Sequence, residues 1–184
     1  MALTKVRGLG LGTLDDNITF STAGKGVHLG VTSATSSNLL DDYEEGTWTP
    51  IYIGSGGNNP TCTYDDKQVG VYVKVGQLVH CQGRVRTDSA SGGGDTLQLG
   101  GLPFANTATS QAFGAINIAY NNLWVADHHP KGGYISPNTT AVTLTIFNSS
   151  DPRDDINDTI LTTELSNSAN SNDLIFSVHY RTDS

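Results

Sequence analysis

The chain has 184 residues and a formal net charge of −8, from 18 acidic and 10 basic residues. This length is enough for one sizeable domain and an appendage. The sequence contains no cluster of Lys and Arg, which argues against nucleic acid as a partner because binding to phosphates needs such clusters. No segment approaches the roughly 18 apolar residues of a membrane helix, so we expect no membrane insertion. Residues 1–7 lack the apolar run of a secretory signal, so none is expected.

Hydrophobic residues make up only 36% of the chain, which is sparse for a self-sufficient globular domain. One explanation is that copies of the chain bury apolar surface against each other. The other is a thin β-sandwich with long loops, which needs no partner.

Residues 1–38 form a Gly- and Thr-rich arm in which apolar residues alternate with small or polar ones, as in β-strands. The apolar positions of this arm are Leu9, Leu11, Ile18, Phe20, Val27, Leu29 and Val31. A lone strand cannot bury these side chains, and short isolated β elements are unstable in water. We therefore expect a homotrimer in which three arms wind around a common axis. The alternative is a disordered tether.

Residues 39–50 separate this arm from a longer region of short alternating strands, and we predict a hinge there. The hinge residues are Asp41, Asp42, Tyr43, Glu44, Glu45 and Trp48. The four acids are interpreted as a solvated turn that helps to order the trimer. The tryptophan is expected to pack in the domain core or against a neighbouring subunit.

Residues 51–184 are predicted to form an antiparallel β-sandwich knob, similar to a jelly roll, so the predicted fold class is all-β. Turn signals separate short alternating segments throughout this region. The predicted strands cover residues 47–53, 70–75, 77–87, 96–99, 112–119, 123–126, 133–136, 141–147 and 174–181. One or two helical turns are predicted at 159–165.

The sequence gives no reason to expect catalysis. A glycosidase needs two carboxylates that face each other across a sugar, about 5–10 Å apart, and the acids at 65–66 and 154–158 are more simply solvated surface groups. The chain shows no stacked repeat for a β-helix. It also contains no nucleophile elbow, P-loop or GxGxxG motif. We predict that the protein is not an enzyme and has no cofactor.

No metal site is predicted either. The acids at 154–158 lack the Gly and Glu of an EF-hand loop, because Ile160 and Ser166 occupy those positions. Three copies of His28 could meet on a trimer axis and bind a metal ion, but its alternation with the apolar Val27 and Leu29 favours an outward position. Cys62 and Cys81 are expected to be free thiols, as in a protein made in a reducing cytoplasm, rather than a disulfide.

Aromatic and amide side chains concentrate between residues 120 and 138, where we predict recognition of a partner. Aromatic faces beside amide and hydroxyl groups suit the apolar and polar faces of a sugar. The candidate receptor-binding residues are Tyr120, Asn121, Asn122, Trp124, His128, His129 and Tyr134. The tryptophan has two interpretations, a binding surface or core filling on a strand.

Several motifs follow one another after residue 39. Residues 40–50 read Leu-Asp-Asp-Tyr-Glu-Glu-Gly-Thr-Trp-Thr-Pro, residues 70–79 contain Gly-x-Tyr-x-Lys-x-Gly, and residues 83–85 read Gly-Arg-Val. Residues 97–104 end in Gly-Leu-Pro-Phe, and residues 173–182 form a last strand. In this order the motifs resemble the distal domain of phage tail fibres. The match covers about residues 39–184, and it is weakest at about 105–170, where specificity should reside.

The resemblance implies a virion protein, made in the host cytoplasm, that binds a host surface glycan or protein. It also implies that the N-terminal arm attaches to another virion protein. Because only about forty residues precede the predicted hinge, a short tail fibre and a capsid fibre both remain open. A decoration protein without a receptor role is the competing class, and a tailspike that hydrolyses polysaccharide is a third.

Overall fold

A computed structural model describes residues 19–22, 24–31, 33, 35, 38–125, 128–146 and 158–183. Across these residues the regular structure consists of β-strands and one short 3-10 helix, which confirms the predicted all-β class. The chain divides into two compact units, residues 1–41 and residues 42–184. Several predicted residues, namely Leu9, Leu11, Ile18 and the acids at 154 and 155, lie outside the described part of the chain.

The smaller unit contains one short antiparallel pair, β1 (Val27–His28) and β2 (Leu39–Leu40). Phe20, Leu29 and Val31 are solvent-exposed in the single chain, and so is Val27 on β1. An isolated two-residue pair cannot cover such side chains. The four described members of the predicted trimer-forming set are therefore exposed to solvent in the single chain.

The larger unit contains the remaining strands. They are β3 (Tyr43–Trp48), β4 (Ile51–Gly54), β5 (Thr61–Tyr64), β6 (Val69–Val75), β7 (Leu78–Ser91), β8 (Leu97–Gly100), β9 (Gly114–Asn122), β10 (Gly132–Ile135), β11 (Val142–Ile146), β12 (Asp158–Thr159) and β13 (Ser171–Arg181). The 3-10 helix spans Thr162–Glu164.

These strands form one antiparallel sheet in the order β3-β6-β7-β13-β9-β10-β11-β8-β4, with β12 beside β11 and β5 beside β7. The two terminal strands of this order, β3 and β4, are separated in sequence only by Thr49 and Pro50. The three Cα–Cα steps from Trp48 to Ile51 span at most about 11 Å. The sheet must therefore curl until its two ends approach each other, which encloses a single core.

Contacts between distant strands close this core. Trp48 on β3 packs edge-to-face against Phe176 on β13, with ring centroids 5.9 Å apart. The Tyr52 hydroxyl on β4 donates to the backbone oxygen of Asn172 on β13 (2.7 Å). Core packing is thus the role of Trp48, one of the two positions expected for it.

The residues predicted as a hinge begin the sheet instead. Tyr43 to Trp48 pair with β6 along its whole length. Asp42 forms an ion pair with the buried Lys74, and the Tyr72 hydroxyl donates to Glu44 (2.5 Å). Asp41 is the last residue of the smaller unit. The acidic motif therefore anchors the first strand of the larger unit rather than forming a free turn.

Two predicted elements near the candidate site differ in the structure. The turn predicted at 120–122 is absent, because β9 continues to Asn122 along the long strand β13. Leu123 then adopts φ +55°, a left-handed conformation that ends the strand, so the strand predicted to begin there does not form over 123–125. Cys62 and Cys81 are free thiols, as predicted, and burial raises the pKa of Cys81 to about 12.

Candidate functional site

The structure does not bring the seven predicted recognition residues together. Tyr120 and Asn122 are exposed on one face of β9, and Asn121 lies between them on the strand. The Asn121 amide donates to the backbone oxygen of Pro130 (2.7 Å), and its Oδ1 lies 3.1 Å from Nδ1 of His129. Asn121 and His129 therefore hold residues 129–130 against β9.

His128 lies beside the 3-10 helix. Its Nε2 is 3.0 Å from Oε1 of Glu164, and both side chains are partly exposed. The other carboxylate oxygen of Glu164 accepts from the backbone N–H of Leu161 (2.7 Å). This contact joins two loops, so His128 has a structural partner of its own.

Trp124 is a core residue. It is 6% exposed, and its ring packs edge-to-face against Tyr52 with centroids 5.7 Å apart. Its indole N–H donates to the backbone oxygen of Asp173 (3.3 Å). Of the two interpretations of this tryptophan, core filling is confirmed and the binding surface is wrong, because a ring enclosed in this way cannot reach a ligand.

A groove opens next to the last candidate, Tyr134. Strand β10 pairs with β11 along its four residues but with β9 only at Tyr134 and Ile135. Beyond this point β9 and β10 are no longer paired, and a groove of about 350 Å³ lies there. It is lined by Ile116, Lys131, Gly132, Gly133, Tyr134, Thr145 and Ile146.

The two glycines of β10 keep this groove open in different ways. A Cβ at Gly133 would lie 2.4 Å from the backbone oxygen of Thr143, so no side chain fits there. A Cβ at Gly132 would have only the Thr145 hydroxyl near it, at 3.6 Å, which is an ordinary contact. Gly132 is therefore replaceable without a clash, and any larger side chain there would enter the groove.

An exposed aromatic pair flanks the groove. Phe113 is 52% exposed and Tyr134 is 39% exposed, and their rings meet edge-to-face with centroids 5.7 Å apart. The cross-strand neighbour of Tyr134 on β9 is Ala115, whose short side chain leaves the tyrosine ring uncovered. Phe113 is not among the predicted recognition residues, because it precedes β9 and lies outside the aromatic cluster at 120–138. Its position one residue before Gly114 at a strand start was the available signal.

The groove combines an apolar wall with a few polar groups. The aromatic pair offers ring faces and edges, Thr145 offers a hydroxyl, and Lys131 offers an exposed ammonium group. None of the described lining residues carries a carboxylate. Such a set of groups stacks on the apolar face of a sugar ring and hydrogen-bonds its hydroxyls.

A second groove, of about 490 Å³, lies near the end of β13 and contains Phe104, Asn106 and Asp183. The Asp183 carboxylate accepts hydrogen bonds from the Thr107 hydroxyl (2.5 Å) and the Ala108 backbone N–H (2.7 Å). Both hydrogen bonds lower the pKa of Asp183, and the bond from Thr107 has the larger effect. The Asp183 carboxylate therefore holds the residues after β13 against the 107–108 loop.

Two features are absent from the described residues. Among them, no three His, Cys, Asp or Glu side chains are close enough to hold a metal ion. No helix within the same ranges is long and apolar enough to cross a membrane.

Comparison with known proteins found no match for this chain among protein-family models, curated proteins or solved structures.

Proposed function

We propose that the chain is a phage virion fibre subunit that is a binding protein rather than an enzyme. Three copies assemble through the arm, which also attaches to another virion protein, and the larger unit is the knob presented to the host. The motifs shared with the distal domain of tail fibres support this proposal, as do the exposed apolar residues of the arm. A short tail fibre fits best, with a capsid fibre as the second arrangement.

The observation that carries a recognition role is the exposed pair Phe113–Tyr134 beside the groove of β10. Exposed apolar side chains that lie together, unlike single scattered ones, favour an interaction role. A decoration protein without a receptor would have no use for this arrangement. We therefore place recognition at Tyr134 and its groove, within the predicted range of 120–138 but without Trp124.

The chemistry of the groove favours a neutral surface glycan as the ligand. The net charge of −8 repels anionic polymers, whereas stacking and hydrogen bonding to hydroxyls need no charge. Binding should therefore depend only weakly on salt. Three knobs on one fibre would raise the effective affinity of individually weak sites.

Aromatic substitutions test this proposal. Tyr134→Ala and Phe113→Ala should each reduce binding of the full chain to a glycan array or to host cells by about tenfold, the effect of about 1.4 kcal/mol. Leu123→Ala is the matched control, because Leu123 is equally exposed but lies away from the groove. If both aromatic variants fold and bind as the parent does, the recognition site is elsewhere and the decoration role gains support.

A further inference from the structure

The outward side of β6 is apolar along its whole length. Gly70 and Lys74 are buried, whereas the odd-numbered positions, all valine, face outward. Each neighbouring strand adds one large apolar side chain opposite Val75, namely Tyr43 on β3 and Leu78 on β7, which are 64% and 60% exposed. The residues of this valine face are Tyr43, Val69, Val71, Val73, Val75 and Leu78.

The rest of the same surface has an ordinary composition. Beside the valine face, on the same side of the sheet, the outward positions of β7 and β13 carry polar or charged residues. These are His80, Gln82, Ser177, His179 and Arg181. A sheet face that meets water usually alternates polar residues outward. The contiguous valine face departs from this pattern, and contiguous exposed apolar patches mark interaction surfaces.

Opposite charges flank this face. On its β3 side, Glu45 lies opposite Val73, and on its β7 side, Arg181 of β13 lies opposite Leu78. Each is hydrogen-bonded to a neutral group: the Tyr43 hydroxyl donates to Glu45 (2.9 Å), and Nε of Arg181 donates to Oε1 of Gln77 (2.8 Å). Among the described residues neither side chain forms a close ion pair, although, beside the larger effect of the Thr107 hydrogen bond, the charge of Arg181 helps to lower the pKa of the neighbouring Asp183.

This arrangement is complementary to a rotated copy of itself. In a cyclic assembly each subunit presents one flank of a patch to the opposite flank of its neighbour. The acidic flank of one copy would then face the basic flank of the next, with apolar side chains between them. The valine face also begins close to the smaller unit in the sequence. Tyr43 follows Leu40 of that unit by three residues, which span at most about 11 Å.

We infer that the valine face packs against a second copy of this chain, in a head-to-tail contact repeated around the assembly axis. The inference rests on the proposed function, since it locates the knob contact of the proposed homotrimer. It adds that the knobs assemble through their own sheets and not through the arms alone.

Cysteine labelling in the assembled protein tests this inference. Val71 and Asn117 lie on one row of cross-strand neighbours, with Gln82 and Ser177 between them, and both are exposed in the single chain. Three strand spacings, about 14 Å, separate them. In a Cys62→Ser background, Val71→Cys should react with a maleimide at least tenfold more slowly than Asn117→Cys, while sedimentation gives three copies.

The possible outcomes distinguish the valine-face contact from the proposed homotrimer. Equal labelling rates in a three-copy assembly overturn the valine-face contact and leave the homotrimer intact. Sedimentation of the protein as a monomer at micromolar concentration overturns both the valine-face contact and the homotrimer. Two copies with Val71→Cys protected overturn the homotrimer and the head-to-tail arrangement, because the contact in a closed dimer is isologous.

Charge reversal provides an independent test should a cysteine variant fail to fold. Glu45→Arg and Arg181→Glu should each weaken assembly by at least threefold. The double variant should recover most of the loss, because it restores opposite charges across the contact. Additive losses in the double variant would overturn the head-to-tail arrangement.

Discussion

The indole N–H of Trp124 donates to the backbone oxygen of Asp173, across the turn that follows β9. This bond and the edge-to-face contact with Tyr52 make Trp124 part of the enclosed core. The exposed aromatic surface of this region is instead Tyr134, paired with Phe113.

Replacing Trp124 should therefore destabilise the fold rather than impair recognition directly. Trp124→Ala should lower the free energy of unfolding by about 3–5 kcal/mol, because it leaves a large cavity and an unpaired backbone oxygen. Tyr120→Ala, on the exposed side of β9, should cost about 1 kcal/mol or less. Chemical denaturation of the two variants measures the difference, and equal losses would contradict the core assignment.

The strands of the large sheet were predictable in outline because many of them carry strong local signals. The hairpin β6–β7 is an example, since Gly76 adopts φ +55° in a two-residue turn between two alternating runs. The extent of β9 was not predictable, because Tyr120 and Asn121 have turn-like sequence neighbours yet are held by pairing with β13. Non-local pairing decides such segments, and sequence propensity does not report it.

The candidate site was likewise predictable only in part from the local sequence. Aromatic and amide enrichment pointed to Tyr134, but the groove depends on where β10 stops pairing with β9. That point depends on the pairing registers of three successive strands, β9, β10 and β11, which the local sequence of β10 does not report. Likewise, nothing in the sequence near Trp124 shows that Tyr52 and Asp173 enclose it.

Stability should fall in acid partly through Asp183. Its pKa is lowered in the folded state by the hydrogen bond from Thr107, then by the one from the Ala108 N–H. A depressed folded pKa contributes stability above the unfolded pKa of about 3.9, and this is lost as pH falls through the folded pKa. Thr107→Val removes one donor, so its unfolding midpoint should change less with pH than that of the parent below about pH 4. If the unfolding midpoints of Thr107→Val and the parent change equally with pH, the Thr107–Asp183 bond does not contribute to acid sensitivity.

The arm should contribute to association through its apolar residues. Leu29→Asp should weaken the proposed trimer by about tenfold or more, since burying one leucine contributes about 1.5–3 kcal/mol. Ser33→Asp places the same charge at a neighbouring exposed arm position and should have little effect. Sedimentation equilibrium over a concentration series measures both, and identical association constants would remove Leu29 from the contact.

The proposed binding role predicts that host polysaccharide stays intact. Incubating the full chain with purified surface polysaccharide should release no reducing ends above a heat-denatured control. Release that disappears with a single Asp→Asn or Glu→Gln substitution would identify a hydrolase and contradict the proposal.

Filling the groove at Gly132 tests the central claim most directly. Gly132→Ala adds a methyl group that makes only an ordinary contact with Thr145, and Gly132→Val adds more bulk to the same space. Binding of the full chain to host cells or to a glycan array should fall slightly for alanine and by at least tenfold for valine, with the same thermal midpoint and number of copies as the parent. Undiminished binding by a folded Gly132→Val protein would contradict recognition at this groove.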